Sequence, residues 1–192
     1  MKCPQYAKVG DKLYKINTNY KVAIKCQQIA TDNTIGDFER ALGIIYTLFG
    51  EEALNTPDHY GKLLELAKKY LSCGKELEDK KEKPDMDFVK DIDLIEASFM
   101  SDFHIDLTQE EMDWWKFNNL LNGLSNSELG NCCILNNIRN LRRFDASKIK
   151  DNKERQKIIE AQKFWALDEE VHLTKEQEKS MEELNKILFG KE

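Results

Sequence analysis

Near its N-terminus the chain alternates between apolar and polar side chains, which is the period of a β-strand with one buried face. Residues Tyr6–Val9 and Lys12–Ile16 follow this pattern on either side of Gly10-Asp11, a pair typical of a tight turn. The pattern predicts a short β-hairpin. Because a lone two-stranded hairpin is only marginally stable in water, we expect it to pack against the rest of the chain.

Beyond the hairpin, apolar positions recur with the 3.6-residue period of α-helices. Three predicted helices run from Thr18 or Asn19 to Thr31, from Phe38 to Gly50, and from Thr56-Pro57 to Gly74. Proline at the first helical position loses no hydrogen bond, and glycine is the commonest residue just after a helix, so the third helix has a marked start and end.

The second half of the chain predicts further helices. Phe88, Ile92, Ile95 and Phe99 fall on one helical face, an arrangement that directs the neighbouring acidic side chains into solvent. A capping box formed by Thr108 and Glu111 opens the next predicted helix, which runs through Trp114 to Leu124. Two more helices are predicted over Glu128–Arg143 and Lys148–Leu167. A last helix is opened by a second capping box, Thr174 and Gln177, and has an apolar stripe of Met181, Leu184 and Leu188.

Residues 75–84 show no apolar period and predict a charged linker. The linker separates residues 1–74, with the hairpin and three helices, from residues 85–192, a helical region with a tryptophan-rich helix and a C-terminal amphipathic helix. One continuous domain is the alternative. The predicted fold class is mostly α, a helical domain with a short N-terminal β-hairpin.

Composition and motifs exclude several classes of protein. The 192 residues contain no apolar run long enough to cross a bilayer and no apolar region of a secretory signal, so we expect a soluble intracellular protein. The five cysteines form no Cys-x-x-Cys pair and the three histidines no His-Glu-x-x-His motif, so we predict reduced thiols and no metal site. Glycine-rich phosphate loops and Gly-x-Ser-x-Gly elbows are absent. We therefore expect no catalytic residue, no cofactor and no enzymatic activity.

The net charge of −6 hides an uneven distribution. Residues 76–113 contain 4 basic and 14 acidic residues, whereas residues 139–157 contain 8 basic and 3 acidic residues. The acidic run Asp85, Asp87, Asp91, Asp93 and Glu96 is expected to be a solvated helix face, because a magnesium site needs oxygens that converge from more than one element. Blocks of opposite sign can attract partners or another copy of the chain.

The basic segment is a candidate binding patch whose members are Arg139, Arg142, Arg143, Lys148 and Lys150. Such a patch contacts phosphates or an acidic protein, or it is an ordinary charged helix face. Only one aromatic residue, Phe144, is interleaved with it, and the chain as a whole is acidic. Nucleic acid is therefore not the expected partner.

Two adjacent tryptophans give the most informative cluster. Trp114 and Phe117 share one helical face, while Trp115 lies about 100° away from Trp114 around the helix, on a line with Met112. Both indoles cannot point into the middle of one narrow stripe. Either the helix is buried on two sides, or Trp115 is partly presented at an interface.

These residues resemble a known family. The segments Phe99–Leu107 and Met112–Leu124 are similar to the aromatic–Ile-Asp-Leu turn and the Trp-Trp-Lys-Phe helix of the bacteriophage "gene product fifteen" family. Residues 16–25, 39–42, 46–50 and 138–151 also resemble that family, so the likeness covers most of residues 14–155. Asn19-Tyr20-Lys21 departs from the family, in which Asp-Phe-Arg is commoner at this place.

The resemblance implies a non-enzymatic tail assembly chaperone of a long-tailed phage. Such a protein binds the tape-measure protein in the host cytoplasm, associates with itself and is absent from the finished virion. The residues expected to make client or self contacts are Met112, Trp115, Met181, Leu184 and Leu188. No membrane is involved. The alternative is a phage regulatory protein that binds nucleic acid or a host protein through residues 139–157.

Overall fold

The structure, a computed structural model, describes residues 3–75, 84–126 and 132–167. This part of the chain is mostly helical with an N-terminal two-stranded antiparallel hairpin, which confirms the predicted fold class. The elements are β1 (Tyr6–Val9), β2 (Lys12–Lys15), α1 (Tyr20–Thr31), α2 (Asp37–Phe49), α3 (Tyr60–Leu71), α4 (Ile92–Phe103), α5 (Trp114–Asn122), α6 (Ile134–Arg143) and α7 (Asn152–Phe164), with 3₁₀ helices at Glu51–Asn55, Pro57–His59 and Ala146–Lys148. No described helix is long and apolar enough to cross a membrane.

The chain divides into two compact units, Met1–Asp145 and Ala146–Glu192. The described part of the second unit contains α7, whose first turn is capped by the Asp151 carboxylate accepting the Glu154 N–H at 2.8 Å. Phe164 and Trp165 meet edge to face at its end, 5.1 Å apart. The predicted linker falls almost entirely outside the described residues, so the domain division predicted from the sequence stays a prediction.

The hairpin packs on the rest of the first unit, as expected for a two-stranded hairpin that is only marginally stable alone. Ala7, Val9 and Tyr14 on its inner face are each at most 7% exposed. The Tyr14 hydroxyl lies 2.8 Å from Nδ1 of His59. Directly after β2, the Asn17 N–H donates to the Leu48 carbonyl of α2 at 2.8 Å. The hairpin and the residue that follows it are thus hydrogen-bonded both to His59 and to α2.

Local signals place the ends of α1 and α2 correctly. The Asn19 side chain accepts the Lys21 N–H at 2.9 Å and caps α1. Gly50 ends α2 with a φ of 83°, a left-handed conformation that costs a residue with a Cβ about 1–2 kcal/mol.

Four predicted helix starts are wrong. The helix predicted from Lys148 begins at Asn152 and is capped by Asp151. Phe88 lies in a turn before α4, not on the helix. Thr108 does not open α5; its hydroxyl donates to the Asp106 carboxylate at 2.6 Å in a turn, and α5 is capped instead by Asp113, which accepts the Lys116 N–H at 2.9 Å. The helix predicted from Glu128 begins at Ile134, and Glu128 itself lies outside the described residues.

Aromatic rings fill the middle of the first unit. Phe117 of α5 stacks on Tyr20 at 4.5 Å, on Phe99 at 5.2 Å and on Trp114 at 5.8 Å between ring centroids. All four side chains are at most 2% exposed. The Tyr20 hydroxyl donates to the Leu107 carbonyl at 3.0 Å, which satisfies its only polar group. α1, α4 and α5 are thus held by one aromatic stack.

Candidate interaction surfaces

A groove of about 950 Å³ opens on the first unit where the hairpin, α1 and α2 meet. We call it the α1–α2 groove; it is lined by Gln5, residues 15–19, Val22, Lys25, residues 46–51 and residues 111–113. Backbone hydrogen bonds hold its walls together. The Tyr20 N–H donates to the Met112 carbonyl at 3.1 Å, and the Trp114 N–H donates to the Thr18 carbonyl at 2.8 Å. The groove is therefore preformed.

The deepest side chains of the α1–α2 groove are apolar, its accessible lining is polar and apolar in similar measure, and its rim is charged. Ile16, Leu48, Phe49 and Met112 supply the floor, and each is at most 7% exposed. The rim carries Lys15 and Lys25 together with Glu51, Glu111 and Asp113. Tyr46 stands at the opening, 55% exposed. An apolar floor with a rim of both charges suits a polypeptide segment.

The two adjacent tryptophans, Trp114 and Trp115, differ in burial. Trp114 is 1% exposed and donates Nε1–H to the Leu71 carbonyl at 2.9 Å. Trp115 is half-buried and donates Nε1–H to the Tyr70 carbonyl at 3.1 Å. Both indoles therefore bind carbonyls in the last turn of α3, where helix carbonyls lack intrahelical partners. Sequence periodicity gives no signal for these bonds.

The other predicted contact residues are placed as follows. Met112 is 7% exposed and lies on the groove floor. Met181, Leu184 and Leu188 lie outside the described residues. Contacts of these residues and of Trp115 with a client or a second copy stay predictions.

The arginines of the basic patch form ion pairs with the acidic run. Arg142 reaches Asp91 with both Nη1 and Nη2, each at 2.7 Å from a carboxylate oxygen. Arg139 Nε lies 3.0 Å from Asp85 Oδ2, and Arg143 also pairs with Asp85. The expectation that the acidic run is a solvated face is wrong for Asp85 and Asp91, because α6 packs on α4 and brings its arginines to them.

Two patch members lie on the second unit. Lys148 and Lys150 are both exposed. A binding role for Arg139, Arg142, Arg143, Lys148 and Lys150 stays a prediction.

Burial raises the pKa of three of the thiols above the ordinary value. It raises the pKa of Cys26 to about 12 and that of Cys73 to about 11, and it also raises the pKa of Cys3. A thiol reacts as its thiolate, so these groups are poor nucleophiles at neutral pH. Cys26 and Cys133 are buried. Among the described residues no group of three His, Cys, Asp or Glu side chains could hold a metal ion.

Comparison with known families gives a match over most of the chain. The model described as "Bacteriophage Gp15 protein" matches residues 4–167, which is most of the chain and includes the hairpin, the α1–α2 groove and both tryptophans. Comparison with curated proteins gave no significant match, and comparison with solved structures gave none either. On the strength of a family match of this extent, the chain belongs to the bacteriophage Gp15 protein family.

Proposed function

We propose that this protein is a non-enzymatic tail assembly chaperone, which binds the phage tape-measure protein in the host cytoplasm and is left out of the finished virion. The α1–α2 groove, in a member of the Gp15 family, is the observation that carries the proposal. Its apolar floor is preformed, so binding an apolar segment costs little rearrangement of the chaperone. We propose homo-oligomers as the working form.

The chemistry of the groove supports binding rather than catalysis. Its lining contains no cysteine and no histidine. Apolar surface from a long client segment can be buried against Val22 and Tyr46, whose side chains line the groove and are not fully buried, while the lysines and carboxylates of the rim keep the complex soluble. A chaperone needs such a binding site, because it must hold its client in solution until the client's final partner replaces the chaperone.

The ion pairs of α6 weigh against the alternative, a regulator that binds nucleic acid through residues 139–157. Arg139 and Arg142 are already neutralised by Asp85 and Asp91. Releasing them for phosphate contacts leaves a carboxylate buried without its cation, which costs several kcal/mol. A salt titration separates the two functions, because phosphate binding weakens steeply with salt and apolar binding does not.

The experiment is co-expression of the full chain with the tape-measure protein of the same phage, followed by co-purification and light scattering. We expect a soluble complex and an oligomeric chaperone. Tyr46→Glu places a charge at the groove opening and should weaken client recovery about tenfold. Phe38→Glu is the matched control, since Phe38 is also an exposed aromatic residue of α2 and does not line the groove. A monomer that leaves the tape-measure protein insoluble would contradict the proposal.

A further inference from the structure

The outer edge of β2 has backbone groups that point away from the hairpin. The Ile16 N–H donates to the Gln5 carbonyl at 2.9 Å, which marks that pair as hydrogen-bonded. Bonded and non-bonded pairs alternate along an antiparallel ladder, and the register pairs Lys8 with Leu13 and Tyr6 with Lys15. Leu13 and Lys15 are therefore at non-bonded positions, with their N–H and C=O groups directed to the outside.

This edge has no backbone partner in the described part of the chain. No hydrogen bond from another element reaches the backbone of Leu13 or Lys15, and the two-stranded sheet ends at β2. The Leu13 side chain is 67% exposed, and on the same outer face Tyr6 is 60% exposed. An open edge beside exposed apolar side chains is a template for an added strand.

The edge runs into the α1–α2 groove. Lys15 belongs to the edge and also lines the groove, and Ile16, the next residue, lies on the groove floor. Side chains of a strand placed beside β2 would alternate between two faces. One set would join Leu13 on the outer face, and the other set would point toward the groove. The free backbone groups at the edge of β2 and the α1–α2 groove are thus adjacent.

The charges on the outer face of the hairpin indicate which kind of polypeptide can bind beside β2. Lys8 and Lys15 are exposed beside Leu13 and Tyr6, and this face has no acidic side chain. A second copy paired edge to edge would bring the same lysines together, which is unfavourable. A strand with acidic side chains on that face would instead pair with them. We infer that β2 binds an extended polypeptide segment with alternating acidic and apolar residues, as a third strand of the sheet.

The inference rests on the proposed function in one respect, because it places the client in the same groove and adds the mode of binding. The probes are two blocked eight-residue peptides, one of alternating glutamate and valine and one of alternating lysine and valine. They are titrated into the full-length protein at low salt. We expect the glutamate peptide to bind about tenfold more tightly than the lysine peptide.

Amide hydrogen exchange of the full chain locates the added strand. On binding the glutamate peptide, exchange at Leu13 and Lys15 should slow about tenfold, while exchange at Tyr14, already bonded to Ala7, should stay the same. The double variant Lys8→Glu, Lys15→Glu should reverse the preference between the peptides. The double variant Lys68→Glu, Lys69→Glu, which makes the same charge change on exposed positions of α3, should keep it.

Each outcome is decisive. Equal binding of both peptides, or binding without protection of Leu13 and Lys15, would overturn the inference. If a tape-measure fragment binds but leaves those amides unprotected, the chaperone function stands and the strand-addition mode fails. If the glutamate peptide protects them and no tape-measure fragment binds, strand addition stands and the proposed function fails.

Discussion

Arg142 of α6 and Asp91, the residue before α4, form a two-armed ion pair that is almost completely removed from solvent. Both N–O distances are 2.7 Å, and the two side chains are 10% and 2% exposed. Asp91 also accepts the Asp87 N–H at 3.0 Å, and Arg142 also donates to the Asp85 carbonyl at 2.9 Å. The pair joins residues 51 positions apart in sequence and fixes α6 to the turn before α4.

Removing one member of this pair should be strongly destabilising. Asp91→Asn leaves the Arg142 guanidinium buried without its anion, and we expect the free energy of unfolding to fall by about 3 kcal/mol. Urea denaturation followed by circular dichroism measures it. Asp93→Asn is the control, since Asp93 is exposed in the first turn of α4, and it should change stability by less than about 0.5 kcal/mol. Equal losses in both variants would refute a special role for the pair.

The Cys26 thiol should make the protein sensitive to alkali. Its pKa is about 12 in the folded chain against 9.0 for an ordinary thiol, so this contribution is complete below pH 9 and is lost as the pH rises from there toward 12. Between pH 9 and pH 10.5 the unfolded thiol ionises and the folded one does not, which lowers the free energy of unfolding by about 2 kcal/mol.

Urea denaturation of wild type and Cys26→Ala at both pH values isolates this thiol from the lysines and tyrosines that titrate in the same range. The variant should lose about 2 kcal/mol less than wild type over the interval. If both proteins lose the same amount, the prediction fails.

The two tryptophans should differ in their contributions to stability. Trp114→Phe keeps an aromatic ring but deletes the buried hydrogen bond to the Leu71 carbonyl, so we expect a loss of about 2–3 kcal/mol. Trp115→Phe deletes an equivalent bond at a half-buried position and should cost about 1 kcal/mol. Denaturant unfolding of both variants provides the comparison, and a larger loss for Trp115→Phe would contradict the assignment of Trp114 to the core.

Two glycines provide a test of backbone conformation alone. A Cβ added at Gly50 or at Gly61 meets no atom within 4 Å, but only Gly50 has a left-handed φ, of 83°. Gly50→Ala should therefore destabilise the protein by about 1–2 kcal/mol. Gly61→Ala, within α3, should stabilise it by about 0.5 kcal/mol. Thermal unfolding of both variants gives the signs, and matching signs would rule out the conformational explanation.

Features determined by neighbouring residues could be predicted from the sequence. The alternation around Gly10-Asp11 gave the hairpin, and Asn19 and Gly50 gave helix ends, because a cap or a left-handed glycine acts within one turn. The family resemblance came from the same kind of local pattern, the Trp-Trp-Lys-Phe helix.

Features that depend on distant residues could not be predicted in this way. Thr108 and Glu111 match a capping box, but an isolated bridge between Asn19 and Asp113 fixes the chain so that α5 starts later. Asp91 is indistinguishable from a solvated carboxylate until Arg142 is brought to it. The α1–α2 groove combines four separate places in the chain, Gln5 and residues 15–25, 46–51 and 111–113, and none of them has a sequence pattern that predicts a groove.

The backbone bonds between Thr18 and Trp114 and between Tyr20 and Met112 also set the order of events on the ribosome. The hairpin is synthesised early, but the far wall of the groove is more than ninety residues downstream, which corresponds to roughly 5–20 s of translation. A nascent chain therefore has no complete groove until residues 111–113 and the start of α5 have been synthesised and have bonded to residues 18–20. The groove is therefore completed only late in synthesis.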